Sequence, residues 1–243
     1  MPKGVHTAKC KRCRFPVTSP CNCKSAKGEH TVKCASILER CVCAPNPLDS
    51  EDFARIHIPY ILWGVTLEGV SESSRVAVGK FSERIKEVKD KGVSLYIYGP
   101  KGCGKSGAAT VIMKEARAWG FTAYGVSVTE LRESVRTHAP FDTESTVMDR
   151  CRLVDFLLLD DLRVEDAAEK MFTINDIRNL IVSRYDRGLP TLITSVLKSM
   201  EWGTAPANAP GIRDAIEKCC AVLQVDGPNR HKVAQELKNK FLE

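Results

Sequence analysis

The chain has 243 residues, of which 43% are hydrophobic and 27% charged, so there is enough apolar material for a core and disorder throughout is excluded. No run of about 18 uncharged apolar residues is present, which excludes a membrane span, and we expect no membrane partner. The formal net charge is +6, and the basic N-terminus lacks a following apolar stretch, so we expect no secretory signal and a cytoplasmic location.

Residues 1–44 form a head that is rich in lysine and cysteine and has almost no apolar periodicity. Residues 1–48 carry a charge of +7, and the rest of the chain carries −1. Seven of the eleven cysteines lie here, and in a reducing cytosol clustered thiols more often bind metal than form disulfides. A segment without a hydrophobic core also needs a bound metal or a covalent cross-link in order to fold. We therefore predict a zinc-binding domain over residues 1–44.

The spacing of the cysteines leaves the number of zinc ions open. Cys10 and Cys13 form a C-x-x-C pair, in which a tight turn points two thiolates at one metal. A second pair would complete a four-cysteine site, and the remaining three thiols would need His30 or His6 as a fourth ligand. One site with spare thiols is the alternative. The candidate zinc ligands are Cys10, Cys13, Cys21, Cys23, Cys34, Cys41 and Cys43.

The remainder of the chain alternates between helical and strand patterns. Two prolines at 45 and 47 mark the end of the head, and residues 45–69 are predicted as a linker. The elements predicted over the α/β domain at 70–243 are a helix at 73–90, a strand at 93–98, a helix at 105–119, a strand at 121–126, a helix at 129–138, a strand at 155–159, a helix at 174–187, a strand at 190–194, a short helix after 211, a strand at 221–225 and a helix at 230–241. This alternation implies a parallel sheet flanked by helices.

A phosphate-binding loop lies between the first predicted strand of this domain and the helix that follows it. The motif G-x-x-x-x-G-K-S is complete, and its glycines let successive N–H groups point at phosphate oxygens. Lys105 would reach the β- and γ-phosphates of ATP, and Ser106 would coordinate Mg²⁺. The predicted nucleotide-binding residues of this loop are Gly99, Pro100, Lys101, Gly102, Cys103, Gly104, Lys105 and Ser106.

Two carboxylates follow a later apolar strand, as an ATPase site requires. Asp160 would bind Mg²⁺, and Asp161 would polarise the attacking water.

The order of these motifs resembles the DnaC/DnaI/IstB-like branch of the AAA+ ATPases, the bacterial and phage helicase loaders. The resemblance covers about residues 55–235. The segments that carry it are Ile58-Pro-Tyr60, Thr66-Leu-Glu68, Leu95-Tyr-Ile-Tyr-Gly99, Val128-Thr-Glu-Leu-Arg132, Asp160-Asp-Leu162, Arg184-Tyr185, Pro190-Thr-Leu-Ile-Thr-Ser195 and Gly227-Pro-Asn-Arg230.

This resemblance implies roles for several further residues. Ser195 lies at the end of the sensor-1 strand, where the family usually continues with asparagine but this chain has Val196. Ser195 substitutes for that asparagine, or hydrolysis is slow. Arg213 matches an arginine finger that reaches a neighbouring subunit's nucleotide, and Arg230 matches the sensor-2 arginine. Arg184 is interpreted as structural.

The resemblance predicts an ATP-dependent loader that delivers a hexameric replicative DNA helicase onto single-stranded DNA, with self-association through the ATP sites and slow, DNA-stimulated hydrolysis. The head then docks on the helicase, or its charge contacts nucleic acid. Two alternatives are an IstB-like transposase accessory ATPase on duplex DNA and a nucleotide-binding scaffold with little hydrolysis.

Overall fold

The structure is a computed structural model that describes residues 5–9, 16–20, 48–137, 147–163, 174–204, 209–230 and 232. It divides into two compact units, one consisting mainly of Met1–Pro47 and the other of Leu48–Arg117 and Phe121–Glu243. In the first unit, strands β1 (Val5–Lys9) and β2 (Pro16–Pro20) form an antiparallel pair. The seven cysteines predicted as zinc ligands all lie outside the described residues.

A five-stranded parallel sheet organises the second unit. Its strands lie side by side in the order β4-β5-β6-β3-β7. In chain order they are β3 (Ser94–Tyr98), β4 (Ala123–Ser127), β5 (Phe156–Leu162), β6 (Thr191–Ser195) and β7 (Cys220–Gln224). The predicted parallel sheet flanked by helices is confirmed. Because β6 lies between β3 and β5, the phosphate loop after β3 and the carboxylates of β5 flank the end of β6.

Helices precede and connect these strands. The structure describes α1 (Ser50–Arg55), α2 (Glu72–Glu83), α3 (Ile85–Lys91), α4 (Lys105–Ala118), α5 (Val128–Thr137), α6 (Val147–Leu153), α7 (Ile174–Asp186) and α8 (Pro210–Cys219). The single helix predicted over 73–90 is two helices, because Arg84 leaves the helical region with φ −99° and ψ 19°. Helix α6 was not predicted. Of the predicted final helix, only Arg230 and Lys232 are described, and both are helical.

Several ends of these elements have local causes in the sequence. Gly92 ends α3 in the left-handed conformation, with φ +64°, which a residue without a Cβ adopts at little cost. The Ser127 hydroxyl accepts a hydrogen bond from the Glu130 N–H at 3.1 Å and so caps the first turn of α5. Pro210 occupies the first position of α8, where its missing N–H would have no helical partner.

The core lies on both faces of the sheet. Phe156, Leu157, Leu158 and Leu159 are each at most 5% exposed, which explains why β5 reads as an uninterrupted apolar run rather than an alternating one. Helices α7 and α8 bury apolar residues at helical spacing, such as Ile177 and Ile181 in α7, against the same core.

Residues 48–69, predicted as linker, belong to the same compact unit as the sheet. Ile56 and Ile58 are buried, and the carbonyl of Ile56 accepts a hydrogen bond from the N–H of Gly125 at 2.8 Å. Because β4 is an outer strand of the sheet, this contact covers part of an edge that would otherwise expose unpaired backbone groups. Apolar periodicity does not reveal such a segment, since its packing involves irregular backbone.

Candidate nucleotide-binding site

The phosphate loop after β3 has the backbone conformation that its glycines permit. Gly104 has φ +103°, and a Cβ there would lie 3.1 Å from Cζ of Arg230. Gly99 has φ +156°, and a Cβ there would lie only 2.0 Å from the carbonyl oxygen of Val225. Gly99 therefore requires glycine for space as well as for conformation, whereas Gly104 requires it chiefly for conformation. Of the other loop residues, Cys103 is fully buried and Lys101 is exposed.

Lys105 is buried at the start of α4, and its ammonium group is held by the loop itself. Nζ donates to the carbonyl oxygens of Gly99 and Pro100, both at 2.9 Å. A lysine that is 8% exposed needs such partners, because a buried ammonium without hydrogen bonds is costly. The ammonium group is thus kept inside the curl of the loop, where a phosphate would enter.

A chain of hydrogen bonds joins the three strand ends around Asp160. Oδ1 of Asp160 accepts from the hydroxyl of Ser106 at 2.8 Å and from the hydroxyl of Thr194 at 2.6 Å. Ser106 comes from the phosphate loop, and Thr194 comes from the end of β6. The predicted pair Ser106 and Asp160 is therefore brought together, with a hydroxyl and a carboxylate oxygen of the kind that Mg²⁺ prefers. These oxygens fit a magnesium ion.

A β-bulge sets the position of the neighbouring carboxylate. The register between β5 and β6 is interrupted between Leu159 and Leu162, and Asp161 has φ +62°. Bulges of this kind redirect side chains next to active sites. The N–H of Asp161 donates to Thr194 Oγ1 at 2.8 Å, while its carboxylate pairs with Arg163. Thr194 therefore contacts both carboxylate residues.

Ser195, a predicted catalytic residue, lies one position further along β6 and is fully buried. Its hydroxyl donates to the carbonyl oxygen of Leu162 at 2.7 Å and accepts from the N–H of Leu197 at 3.2 Å. Successive side chains on a strand point to opposite faces, so Thr194 and Ser195 do not face the same way. Of these two hydroxyl groups of β6, that of Thr194 contacts Asp160. Val196, the next residue, is 42% exposed.

Arg230 lies directly against the phosphate loop, although it is more than a hundred residues away in the sequence. Its N–H donates to the carbonyl of Gly102 at 3.0 Å, and its Nη2 donates to the carbonyl of Gly69 at 2.6 Å. Its guanidinium also covers Gly104, as the short Cβ distances there show. The structure thus places a positive charge beside the loop where the sequence resemblance implied one.

Arg213 lies in the first turns of α8 and is not part of this cluster. Its Nε donates to the carboxylate of Glu217 at 2.9 Å, and its side chain is 42% exposed. Its Cδ would lie 2.9 Å from a Cβ at Gly203. An exposed arginine of this kind is accessible to another molecule, as the predicted finger role requires.

Arg184 is a structural residue, as the sequence interpretation proposed. It is fully buried, and its guanidinium donates to five oxygens. Burial lowers the pKa of this side chain to about 10, which still leaves it charged at neutral pH. It has no contact with Asp160 or Ser106 among the described residues.

A separate metal centre is not found in the described part of the chain, where no group of three or more histidine, cysteine or acidic residues could hold an ion. The described residues also contain no helix that is long and apolar enough to cross a membrane.

Comparison with known proteins finds relatives in structure only. No protein-family model matches the chain, and curated protein sequences give no significant match. The crystal structure of DnaI matches with a TM-score of 0.59 at 22% identity, covering 74% of this chain and 100% of that one. The DnaC helicase loader matches with a TM-score of 0.55 at 18% identity, covering 69% and 100%. AMPPCP-bound DnaA from Aquifex aeolicus matches with 0.55 at 19% identity, covering 75% and 57%.

The parallel sheet, the phosphate loop and the facing carboxylate define the class of P-loop nucleotide-binding folds. Within that class, the fold is the one shared with the DnaI, DnaC and DnaA structures, as the sequence resemblance predicted.

Proposed function

We propose that this chain is an ATP-dependent loader that delivers a hexameric replicative DNA helicase onto single-stranded DNA when replication begins. One observation carries the ATP-binding part of this proposal: Ser106, Asp160 and Thr194 are joined by hydrogen bonds beside Lys105 and Arg230. The ends of β5 and β6 are thereby joined to the phosphate-binding loop after β3, which supports a site that holds a nucleotide.

Each residue of this cluster has a task in binding ATP. The loop N–H groups and Lys105 would bind the β- and γ-phosphates, and the positive end of α4 would add to the attraction. Ser106 and Asp160 would hold Mg²⁺, which when bound neutralises charge on the phosphates. Thr194 fixes the rotamer of Asp160. Arg230 would sense the phosphates within the same subunit, and Asp161 would orient water for slow, DNA-stimulated hydrolysis.

Support for the loader role comes from the structural neighbours and from charge. One neighbour is named as the DnaC helicase loader, and another is a replication initiator, DnaA, bound to AMPPCP and single-stranded DNA. The head carries a charge of +7, and we propose that it docks on the helicase. The chain would self-associate through its ATP sites, with the exposed Arg213 reaching a neighbour's nucleotide, and act in the cytoplasm without a membrane partner.

The nucleotide site is tested by the binding of a fluorescent ATP analogue with and without Mg²⁺. Lys105→Ala should abolish binding, and Ser106→Ala should remove only the gain in affinity that Mg²⁺ provides. Lys80→Ala, an exposed lysine of α2, is the matched control. Unchanged affinity in K105A would contradict the assignment.

The loader role is tested by transfer of a purified replicative helicase onto circular single-stranded DNA. The chain should bind the helicase stoichiometrically and load it only with ATP. Arg213→Ala should bind ATP normally but lose ATP-dependent assembly and DNA-stimulated hydrolysis. Adding K105A subunits, which retain Arg213, should partly restore hydrolysis. Filaments on duplex DNA without helicase binding would instead support the transposase-accessory function.

A scaffold that binds nucleotide with little hydrolysis is the second candidate. Val196 favours it, because this partly exposed apolar residue follows the strand end where the family usually has an asparagine. Turnover at saturating ATP with DNA and helicase present distinguishes the two: a loader is stimulated, whereas a scaffold stays at its basal rate.

The zinc-binding head is proposed from the sequence alone. Elemental analysis of protein purified without added metal should find one or two zinc ions per chain, and Cys10→Ser with Cys13→Ser should lower that number. Seven freely titratable thiols and no zinc would refute the proposal.

A further inference from the structure

The backbone around Asp161 is held firmly, which leaves its side chain as the part that can move. Its N–H is fixed by the hydroxyl of Thr194, and β5 resumes its pairing with β6 at Leu162, which lies opposite Ser195. Asp161 itself lies in the left-handed region at φ +62°, a conformation that aspartate tolerates better than most residues. A change in the direction of the carboxylate therefore requires only rotation about the side-chain bonds.

Arg163, two residues along the chain, forms a hydrogen-bonded ion pair with that carboxylate. Oδ2 of Asp161 accepts from Nε of Arg163 at 2.8 Å and also from Nη2 of the same guanidinium. Asp160, one residue earlier, instead turns its carboxylate to the phosphate loop and β6. The two adjacent carboxylates thus have different partners: one faces the hydroxyl groups of the nucleotide site, and the other is paired with an arginine that directly follows β5.

We infer that Arg163 is a positioning residue that restrains Asp161 and keeps basal ATP hydrolysis low. This inference rests on the proposed function, in which Asp161 orients the attacking water. While Oδ2 is bound twice to the guanidinium, only Oδ1 can accept a hydrogen bond from that water, and the paired positive charge makes the carboxylate a weaker acceptor. Hydrolysis is therefore faster once the side chain of Asp161 has left Arg163.

The exposure of the pair indicates how strong this restraint is. The side chain of Arg163 is 52% exposed and that of Asp161 is 40% exposed, so water and salt screen the attraction. Exposed ion pairs change an equilibrium by about two- to fivefold, which corresponds to about 0.4–1 kcal/mol. Such a weak restraint slows turnover without preventing it, and a modest competing interaction is sufficient to release it.

The first test is steady-state hydrolysis at saturating Mg·ATP without DNA. Arg163→Met, which keeps the length of the side chain but removes its charge, should raise kcat about two- to fivefold with KM unchanged. Arg163→Lys should return kcat toward the wild-type value. Arg152→Met is the matched control, because it breaks an exposed ion pair with Asp149 in α6, and it should leave kcat unchanged. In an Asp161→Asn background, R163M should have no effect.

The second test needs no nucleotide. A double-mutant cycle of D161N and R163M in the urea unfolding of the apo protein should give a coupling of about two- to fivefold in the unfolding constant. A coupling near zero shows that the pair is not formed in solution and overturns the inference.

The kinetic outcomes separate this inference from the proposed function. If the wild type binds ATP but R163M leaves kcat unchanged or lowers it, Arg163 is not a restraint and only this inference fails. If the wild type binds no ATP, the proposed function fails, and the inference fails with it.

Discussion

Replacing Arg184 with lysine tests whether one buried guanidinium stabilises the junction of α6, β5, α7 and β6. Arginine presents five N–H donors, whereas a lysine ammonium has three, so at least two oxygens lose their partner in R184K. Each hydrogen bond to a charged group contributes about 1.5–3 kcal/mol, and unsatisfied buried carbonyls add to the loss. The five acceptors are the carbonyl oxygens of Cys151, Val154, Asp155 and Pro190 and the hydroxyl of Thr191, at 2.7–3.2 Å.

We therefore expect R184K to lower the free energy of unfolding by about 3–5 kcal/mol. This is a large part of the total stability of a domain, about 5–15 kcal/mol. With a urea dependence of about 2 kcal/mol per molar, the midpoint should fall by about 1.5–2.5 M. Urea unfolding followed by far-ultraviolet circular dichroism measures this change, and nucleotide binding by the remaining folded protein should be unaltered.

The matched control is Arg187→Lys, in the turn that directly follows the same helix. Arg187 is exposed, and its Nη1 donates to the carbonyl of Arg152 at 3.2 Å, so its replacement should cost less than about 0.5 kcal/mol. The reasoning would be refuted by an R184K midpoint within experimental error of the R187K midpoint.

Three further predictions concern pH, the phosphate loop and the carboxylate network. Burial would raise the pKa of Asp155, but the hydroxyl and N–H of Thr122 and the ammonium group of Lys89 lower that pKa below its usual 3.8. The stability that Asp155 contributes is thus present above pH 3.8 and lost as the pH falls below that value. When urea midpoints are measured at a series of pH values, D155N should therefore lose less stability in acid than the wild type. An unchanged dependence on pH would contradict this. Gly104→Ala and Gly120→Ala both place alanine at positive φ and should each cost about 1–2 kcal/mol, but only G104A should also lose ATP affinity. Equal losses of affinity would contradict that difference. Thr194→Val should lower the free energy of unfolding by about 1–3 kcal/mol, because Asp160 loses a hydrogen-bond donor. It should also weaken the part of ATP binding that depends on Mg²⁺. A Mg²⁺ dependence equal to that of the wild type would argue against this role.

Local rules made much of the fold predictable from the sequence. The loop from Gly99 to Ser106 is recognisable because the curl of a phosphate loop depends on glycines at fixed spacing and on the strand and helix beside it. The strand before Asp160 is equally clear, since a strand buried on both faces must be a continuous apolar run. Ser106 and Asp160 are hydrogen-bonded in the structure as the motifs predicted, and Lys105 lies beside them at the start of α4, where it contacts the loop carbonyls.

Contacts between distant segments decided the rest. The choice of Thr194 over Ser195 as the partner of Asp160 depends on which face of the sheet each side chain points to and on which residue of β6 lies beside Asp160. Only the strand order and register determine this. The bulge at Asp161 and its pairing with Arg163 have the same origin, because a bulge exists only relative to a partner strand. Motif spacing carries no information about these pairings.

Arg230 shows this division most clearly. The sequence indicated an arginine with a nucleotide-sensing role, but not the contacts that hold it over Gly104 and against the carbonyl of Gly69. Those contacts join segments separated by 126 and 161 residues, so no local pattern around Arg230 specifies them. Local hydrogen bonding and apolar periodicity therefore determined the elements and the loop, whereas sheet topology determined which side chains face the nucleotide, because a pairing between distant segments depends on the whole fold rather than on its own residues.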